Sequence, residues 1–480
     1  VRKAFSGFQL FVRLNLKALT RVWLFNPRKR FGIFITWHSD IFIMSSHASL
    51  QDVEVGDIVE VQFDGDKIIG RVMPRTELDP PGLLTLKLSN GYNVGVSLKG
   101  VSLKVLKKSE QKHKPIQESE EEEKYSAGEF VSLISTGGTI ASRVEYETGA
   151  VKPALYAKDL LTLVPELASI TKVKTRILMS ILSEDMKPSY WTEIAKAVYE
   201  EIKSGACGVV VAHGTDTMGY TAAALSFALP KLSVPVVLVG AQRSSDRPSS
   251  DAYFNLINAV KFARFADASG VFVCMHSSTS DPTSWILTGT KVRKMHTSAR
   301  YAFKPINARA VALVNGDIKM LERTKPRGGE TVLKAGFSEK CSLIYSYPGL
   351  SQRVLEALCA DCEGVVFAGT GLGHVPSYLL DSISQLKKRG VLFFMTSQCY
   401  FGRVNMNVYT TGRRLLSAGV VPLEDMLPET AYVKLCWCVA NFPREKVEEV
   451  MRTNLVGEIS ERTVYEVESY ESGLRSAPAA

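Results

Sequence analysis

The chain has 480 residues, 45% of them hydrophobic, which is enough for several domains with sizeable cores and excludes a small module stapled by disulfides or metal. Its formal net charge of +9 suggests nucleic-acid binding. The location of that charge excludes a basic body: residues 1–43 hold eight Lys or Arg against one acid, and everything from Met44 onward carries only +2.

Taken in chain order, the leader 1–43 is basic, aromatic-rich and nearly free of acids, somewhat like an organellar presequence. It has no uninterrupted apolar run near 18 residues, which argues against a membrane span. Met44 stands just before SSHASLQDVEVGD, and we expect it to be the working start, 1–43 being the product of a start placed too early; a genuine extension or a targeting segment is the alternative. Residues 50–106 read as short alternating strands, VGDIVEVQFDGDKIIGRVMP and LLTLKLSNGYNVGVSL, with Asp64-Gly65 and Asn90-Gly91 as hairpin turns. This predicts a small SH3-like β-barrel; it has no basic stripe, so a docking role is expected of it. Residues 107–127, containing ESEEEEK, read as a charged, solvated linker.

From 128 the rhythm changes to α/β. FVSLIS, GVVVAHG, VPVVLVGAQ and GVFVCMHS are near-continuous apolar runs, as expected of parallel strands buried on both faces. Residues 128–335 are therefore expected to form one α/β domain and 340–465 a second, smaller one. In the second, GVVFAGTG and GVLFFMTS are strands and SYLLDSISQLKKRG the helix between them, ended by Gly390. The eight cysteines lie scattered through these apolar patterns, which suits reduced, buried thiols in a cytoplasmic protein. Cys359-Ala-Asp-Cys362 and Cys436-Trp-Cys438 mimic metal spacing, but no histidine sits at ligand distance, and no metal is expected.

Two stretches carry the chemistry. In STGGTIAS a buried strand ends in Gly137-Gly138 with Thr136 and Thr139 on either side, and AHGTDTMGYTAAAL repeats that form with Thr215, Asp216 and Thr217. Glycines allow a sharp turn, and hydroxyls at a strand mouth stand where α/β sheets place their sites. Thr215 or Asp216 is also expected to cap the helix starting near Met218. In VRKMHTSARYAF, Lys294 is a cation without nearby acids in sequence.

Together TGGTIA and HGTDTM resemble the two threonine motifs of the asparaginase/glutaminase family, over about 128–460. The resemblance implies that Thr139 and Thr215 are the two threonines, with Asp216 and Lys294 partners of Thr215. Tyr146 in YETGAV matches the tyrosine that serves Thr139, and Ser183-Glu184 in LSEDM, with Asp216, the substrate clamp. A carboxamide is a poor electrophile, so a covalent route through a threonine is implied, with a lysine held neutral by burial as base for Thr215 and backbone N–H groups for the oxyanion. Either threonine can form the acyl-enzyme on the sequence alone; Thr139 is favoured.

Outside those motifs, VGAQRSSDRPSSDA, RKMHTSARYAF, EDMLPETAYVKL and the appended barrel are similar to the GatD family of archaeal glutamyl-tRNA(Gln) amidotransferases, over about 50–465. That resemblance implies one part of a ligase, a chain that hydrolyses glutamine and passes ammonia to a partner, GatE. It also implies a D2E2 heterotetramer built on a GatD-type homodimer. The partner would use ATP and Mg2+ and bind Glu-tRNA(Gln), this chain needing no cofactor. A stand-alone asparaginase and a non-catalytic binding protein are the other readings.

Overall fold

The structure, a computed structural model, describes residues 21–25, 32–36, 53–63, 66–73, 82–89, 93–108, 126–137, 142–144, 151–153, 164, 166–243, 250–279 and 282–463. In the leader, Arg21–Phe25 pairs antiparallel with Gly32–Thr36, in a unit of its own.

The next five strands form one antiparallel sheet in the order Asn93–Ser97, Leu83–Lys87, Asp66–Val72, Ile58–Phe63, Ser102–Lys107. Alternation places Val59 and Val61 inward, where they meet Val72, Leu84, Leu86 and Val96 in a small core. Phe63 pairs with Asp66 across the first two of these strands in chain order, while the expected turns Asp64-Gly65 and Asn90-Gly91 lie outside the described residues. The Lys87 ammonium lies 4.7 Å from the centroid of the Tyr253 ring, joining this sheet to the helix Ala252–Phe265 of the body.

The body is built on an eight-stranded sheet. Five strands run parallel in the order Lys172–Ile181, Phe130–Gly137, Gly208–Ala212, Pro235–Val239, Gly270–His276. Three more, Ser284–Thr288, Ala312–Asn315 and Asp317–Met320, continue it antiparallel. Side chains alternate across the sheet: Val209 and Val211 enter one apolar cluster, Val210 and Ala212 the other. Both faces are covered, which is why the sequence shows runs of valine instead of alternation.

A second sheet is wholly parallel, ordered Cys341–Tyr345, Gly364–Gly369, Leu392–Ser397, Val420–Pro422. The helix Leu380–Lys388 connects its two central strands, and Gly390 follows it at φ +105°. The helix Pro428–Asn441 then packs back on Met218–Ala228 of the first domain, with Phe227 and Trp437 stacked at 5.8 Å.

Candidate active site

In a parallel sheet the carboxyl ends of neighbouring strands open onto one crevice. Here Lys172–Ile181, Phe130–Gly137 and Gly208–Ala212 are adjacent. Their ends bring Ser183 and the segment His213–Thr217 together. Gly137 is paired with Ile181 and has φ +104°; a Cβ there would sit 2.3 Å from the Ile181 carbonyl oxygen, so only glycine fits. Gly214 is equally constrained, because its Cβ would stand 2.5 Å from that of Ser183. The glycine of HGTDT is what allows Ser183 to approach the second threonine.

Thr136 was expected to add a hydroxyl at the strand mouth. It is instead 1% exposed and donates to the Ala212 carbonyl at 3.0 Å, tying two strands together. The capping expectation also needs correction. The N-cap of Met218–Ala228 is Thr217, with no side-chain cap, and its hydroxyl donates to the Ser183 carbonyl at 2.8 Å. Thr215 and Asp216 face another partner.

That partner is Lys294, carried on the short hairpin Val292–Lys294 and Phe303–Pro305. Its Nζ donates to Thr215 Oγ1 at 2.9 Å and to Asp216 Oδ1 at 2.7 Å. The lysine that looked unpaired in the sequence is thus ion-paired with an acid distant in the chain. Ser183 Oγ donates to the other oxygen, Asp216 Oδ2, at 3.1 Å. Burial alone would raise the Asp216 carboxyl; the hydrogen bond and charge of Lys294, with the Ser183 hydroxyl, outweigh it and hold Asp216 below the ordinary carboxylate value. Because the Asp216 side chain is 65% exposed, this pair contributes roughly 0–1 kcal/mol to stability, and its use is orientation.

Of the residues singled out in the sequence, the structure brings together Ser183, Thr215, Asp216 and Lys294. Glu184 sits exposed on the single turn Ser183–Asp185, with no hydrogen bond or ion pair to the cluster. Thr139 and Tyr146 lie outside the described residues. Three residues escaped the sequence reading. His213, Thr221 and Trp191 form a buried polar chain directly behind Thr215. Each looks like core when read singly.

Among the described residues no three His, Cys, Asp or Glu side chains are grouped to hold a metal. All eight cysteines are free thiols; Cys399, expected inside an apolar element, is exposed. No helix among the described residues is long and apolar enough to cross a membrane.

Three family models match: "Asparaginase, N-terminal" at residues 130–326, "Glutaminase/Asparaginase C-terminal domain" at 340–451 and "GatD N-terminal domain" at 53–106. The D-subunit of the glutamyl-tRNA(Gln) amidotransferase of Saccharolobus islandicus is 47% identical over 421 residues, 86% of this chain and 94% of that protein. Its namesake from Pyrococcus abyssi is 48% identical over 427 residues, 87% and 97% of the two chains. Among solved structures, the thermostable L-asparaginase of Thermococcus kodakarensis superposes with a TM-score of 0.63 at 34% identity, covering 69% of this chain and 100% of its own.

Proposed function

The chain belongs to the GatD family of glutamyl-tRNA(Gln) amidotransferases, within the asparaginase/glutaminase family, and from that membership we propose that it is the glutaminase of such an enzyme. The observation that carries the chemistry is the placement of Lys294 Nζ against both Thr215 Oγ1 and Asp216 Oδ1.

A threonine hydroxyl, for which we choose Thr139 assisted by Tyr146, attacks the side-chain carboxamide carbon of glutamine. The C–N bond breaks, the nitrogen takes a proton and leaves as ammonia, and an ester of glutamate remains on the threonine. Water then attacks the ester and restores the hydroxyl. Thr215 serves as the proton-transfer group. The proton lost by the attacking hydroxyl passes through Tyr146 and Thr215 to the departing nitrogen, while Lys294, held by the Asp216 carboxylate, donates to Thr215 Oγ1 and orients it for that transfer. Ser183, Glu184 and the exposed tip of Asp216 hold the amino-acid head group, the carboxylate facing its ammonium.

The partner side of the proposal follows from the same family. Ammonia released in bulk water at neutral pH becomes ammonium and loses its nucleophilicity, so it must pass directly to its acceptor. The acceptor would be the glutamate of Glu-tRNA(Gln), held and activated with ATP and Mg2+ by GatE, in a D2E2 heterotetramer built on a homodimer of this chain. The overall reaction is then a ligase reaction in the cytoplasm, and this chain needs no cofactor for its half. The near-neutral charge after Met44 supports leaving the tRNA to the partner. The alternative is a stand-alone asparaginase; the match at 53–106, outside the two asparaginase matches, favours the amidotransferase reading.

Steady-state hydrolysis of glutamine and asparagine, with and without GatE and charged tRNA, tests this reading. Glutaminase turnover that rises with both is expected. Full asparaginase turnover by the isolated chain, unchanged by either, would overturn it.

A further inference from the structure

Behind the threonine segment runs a closed chain of hydrogen bonds. Trp191 Nε1 lies 3.1 Å from Thr221 Oγ1, Thr221 Oγ1 lies 2.8 Å from His213 Nε2, and His213 Nδ1 lies 2.7 Å from the Gly214 carbonyl oxygen. Trp191 stands on Pro188–Lys203 and Thr221 on Met218–Ala228, so two packed helices anchor one imidazole. His213 and Thr221 are completely buried and Trp191 nearly so.

Every proton in this chain is determined. A carbonyl oxygen only accepts, so His213 must carry its hydrogen on Nδ1. The fully buried ring is neutral, burial pushing its pKa down to about 4 against a weaker opposing effect of the Gly214 hydrogen bond. Nε2 is then an acceptor, and the Thr221 hydroxyl must donate to it. The indole N–H of Trp191 fills the remaining role, donating to Thr221. No group in the chain is left unsatisfied.

The Gly214 carbonyl is one end of a planar unit whose other end is the N–H and Cα of Thr215. Holding the oxygen toward the imidazole fixes the plane, and with it the direction of the Thr215 N–H and the place from which its side chain starts. Thr215 is where Lys294 converges.

We infer that His213 is a positioning residue: a neutral imidazole, its tautomer locked by Thr221 and Trp191, that aims the Gly214–Thr215 peptide at the substrate. The inference rests on the amidohydrolase reading given above and adds a residue that touches no reacting atom.

The test replaces His213 by Asn, whose amide N–H reaches the place of Nδ1, and by Gln, whose amide reaches the place of Nε2. In the full-length protein His213→Gln should lower kcat about 100-fold with KM changed no more than a few-fold. His213→Asn should recover most of that loss, although both variants have lost the ring. Equal activity in the two variants, or losses that merely follow the unfolded fraction measured by thermal melting, would overturn the inference. A second measurement is independent of turnover: 15N spectra of histidine-labelled protein should show His213 protonated on Nδ1 at neutral pH, and a proton on Nε2 would overturn the inference. Absence of amidase activity in the wild type, with or without GatE, would instead count against the functional reading, and the spectra would still decide the role of the ring.

Discussion

Lys291 and Asp425, 134 residues apart in sequence, form an ion pair 2.7 Å long with both side chains almost wholly out of water. Burial lowers the pKa of Lys291, and the charge and hydrogen bond of Asp425 oppose that. The pair ties the hairpin that carries Lys294 to the second domain. Removing one partner leaves a buried charge alone, so Lys291→Met or Asp425→Leu should each cost about 3–5 kcal/mol. The double substitution should recover much of that loss. Urea unfolding of the three variants checks this; single variants within about 1 kcal/mol of wild type would contradict it.

Gly214→Ala places a methyl 2.5 Å from Ser183 Cβ and 3.0 Å from its Oγ. Overpacking of this kind costs about 1–3 kcal/mol, and the group displaced is the one bonded to Asp216. KM for glutamine should rise at least about tenfold as a result. Unchanged kinetics in Gly214→Ala would mean that Ser183 has no part in binding.

Lys294→Met and Thr215→Val should each lower kcat by roughly 10³-fold or more while thermal stability changes little. Lys294→Met has a further signature. Without the lysine, burial is left to act on Asp216 with only the Ser183 hydrogen bond against it, so the Asp216 carboxyl rises from its lowered position. The acid limb of the residual pH–rate profile should move to higher pH. Wild-type turnover in either folded variant would remove that residue from the mechanism.

The buried His213 makes a separate statement about acid stability. Its folded pKa is pushed down to about 4 by burial, below the roughly 6.5 of an unfolded chain. As pH falls below the unfolded value, only the unfolded state takes up the proton, so stability is intact above about 6.5 and drains away down to about 4. The loss assigned to this one ring is about 3 kcal/mol. Urea midpoints of wild type and His213→Asn between pH 7 and pH 4 should converge as pH falls. Parallel curves would mean that the ring is not buried neutral.

How far the sequence could be read depended on how each residue comes by its place. Strands such as Gly208–Ala212 and Pro235–Val239 are buried on both faces, so composition alone identifies them. The edge strand Lys172–Ile181, KVKTRILMSI, did not stand out, because a half-exposed edge carries charges among its apolar residues. The antiparallel strands after Gly270–His276 were missed as well, being short and lying beyond the run of strand and helix alternation. In the site, HGTDT announces itself locally. Ser183 and Lys294 could be suggested only by resemblance, since nothing local tells a lysine that its acid lies 78 residues away. The chain from Trp191 through Thr221 to His213 spans two helices and a strand end, and no local pattern encodes it.

The stacking of Phe227 on Trp437 has a mechanical consequence. Trp191 and Phe337 meet edge-on at 5.5 Å in the same apolar cluster, which runs without a break from the first sheet to the helix Pro428–Asn441. Prising the two α/β lobes apart would wet that cluster. Every apolar Å2 of that seam brought back into water would cost about 25 cal/mol. The shared cluster thus holds the two lobes against each other and opposes their separation as a route to the site.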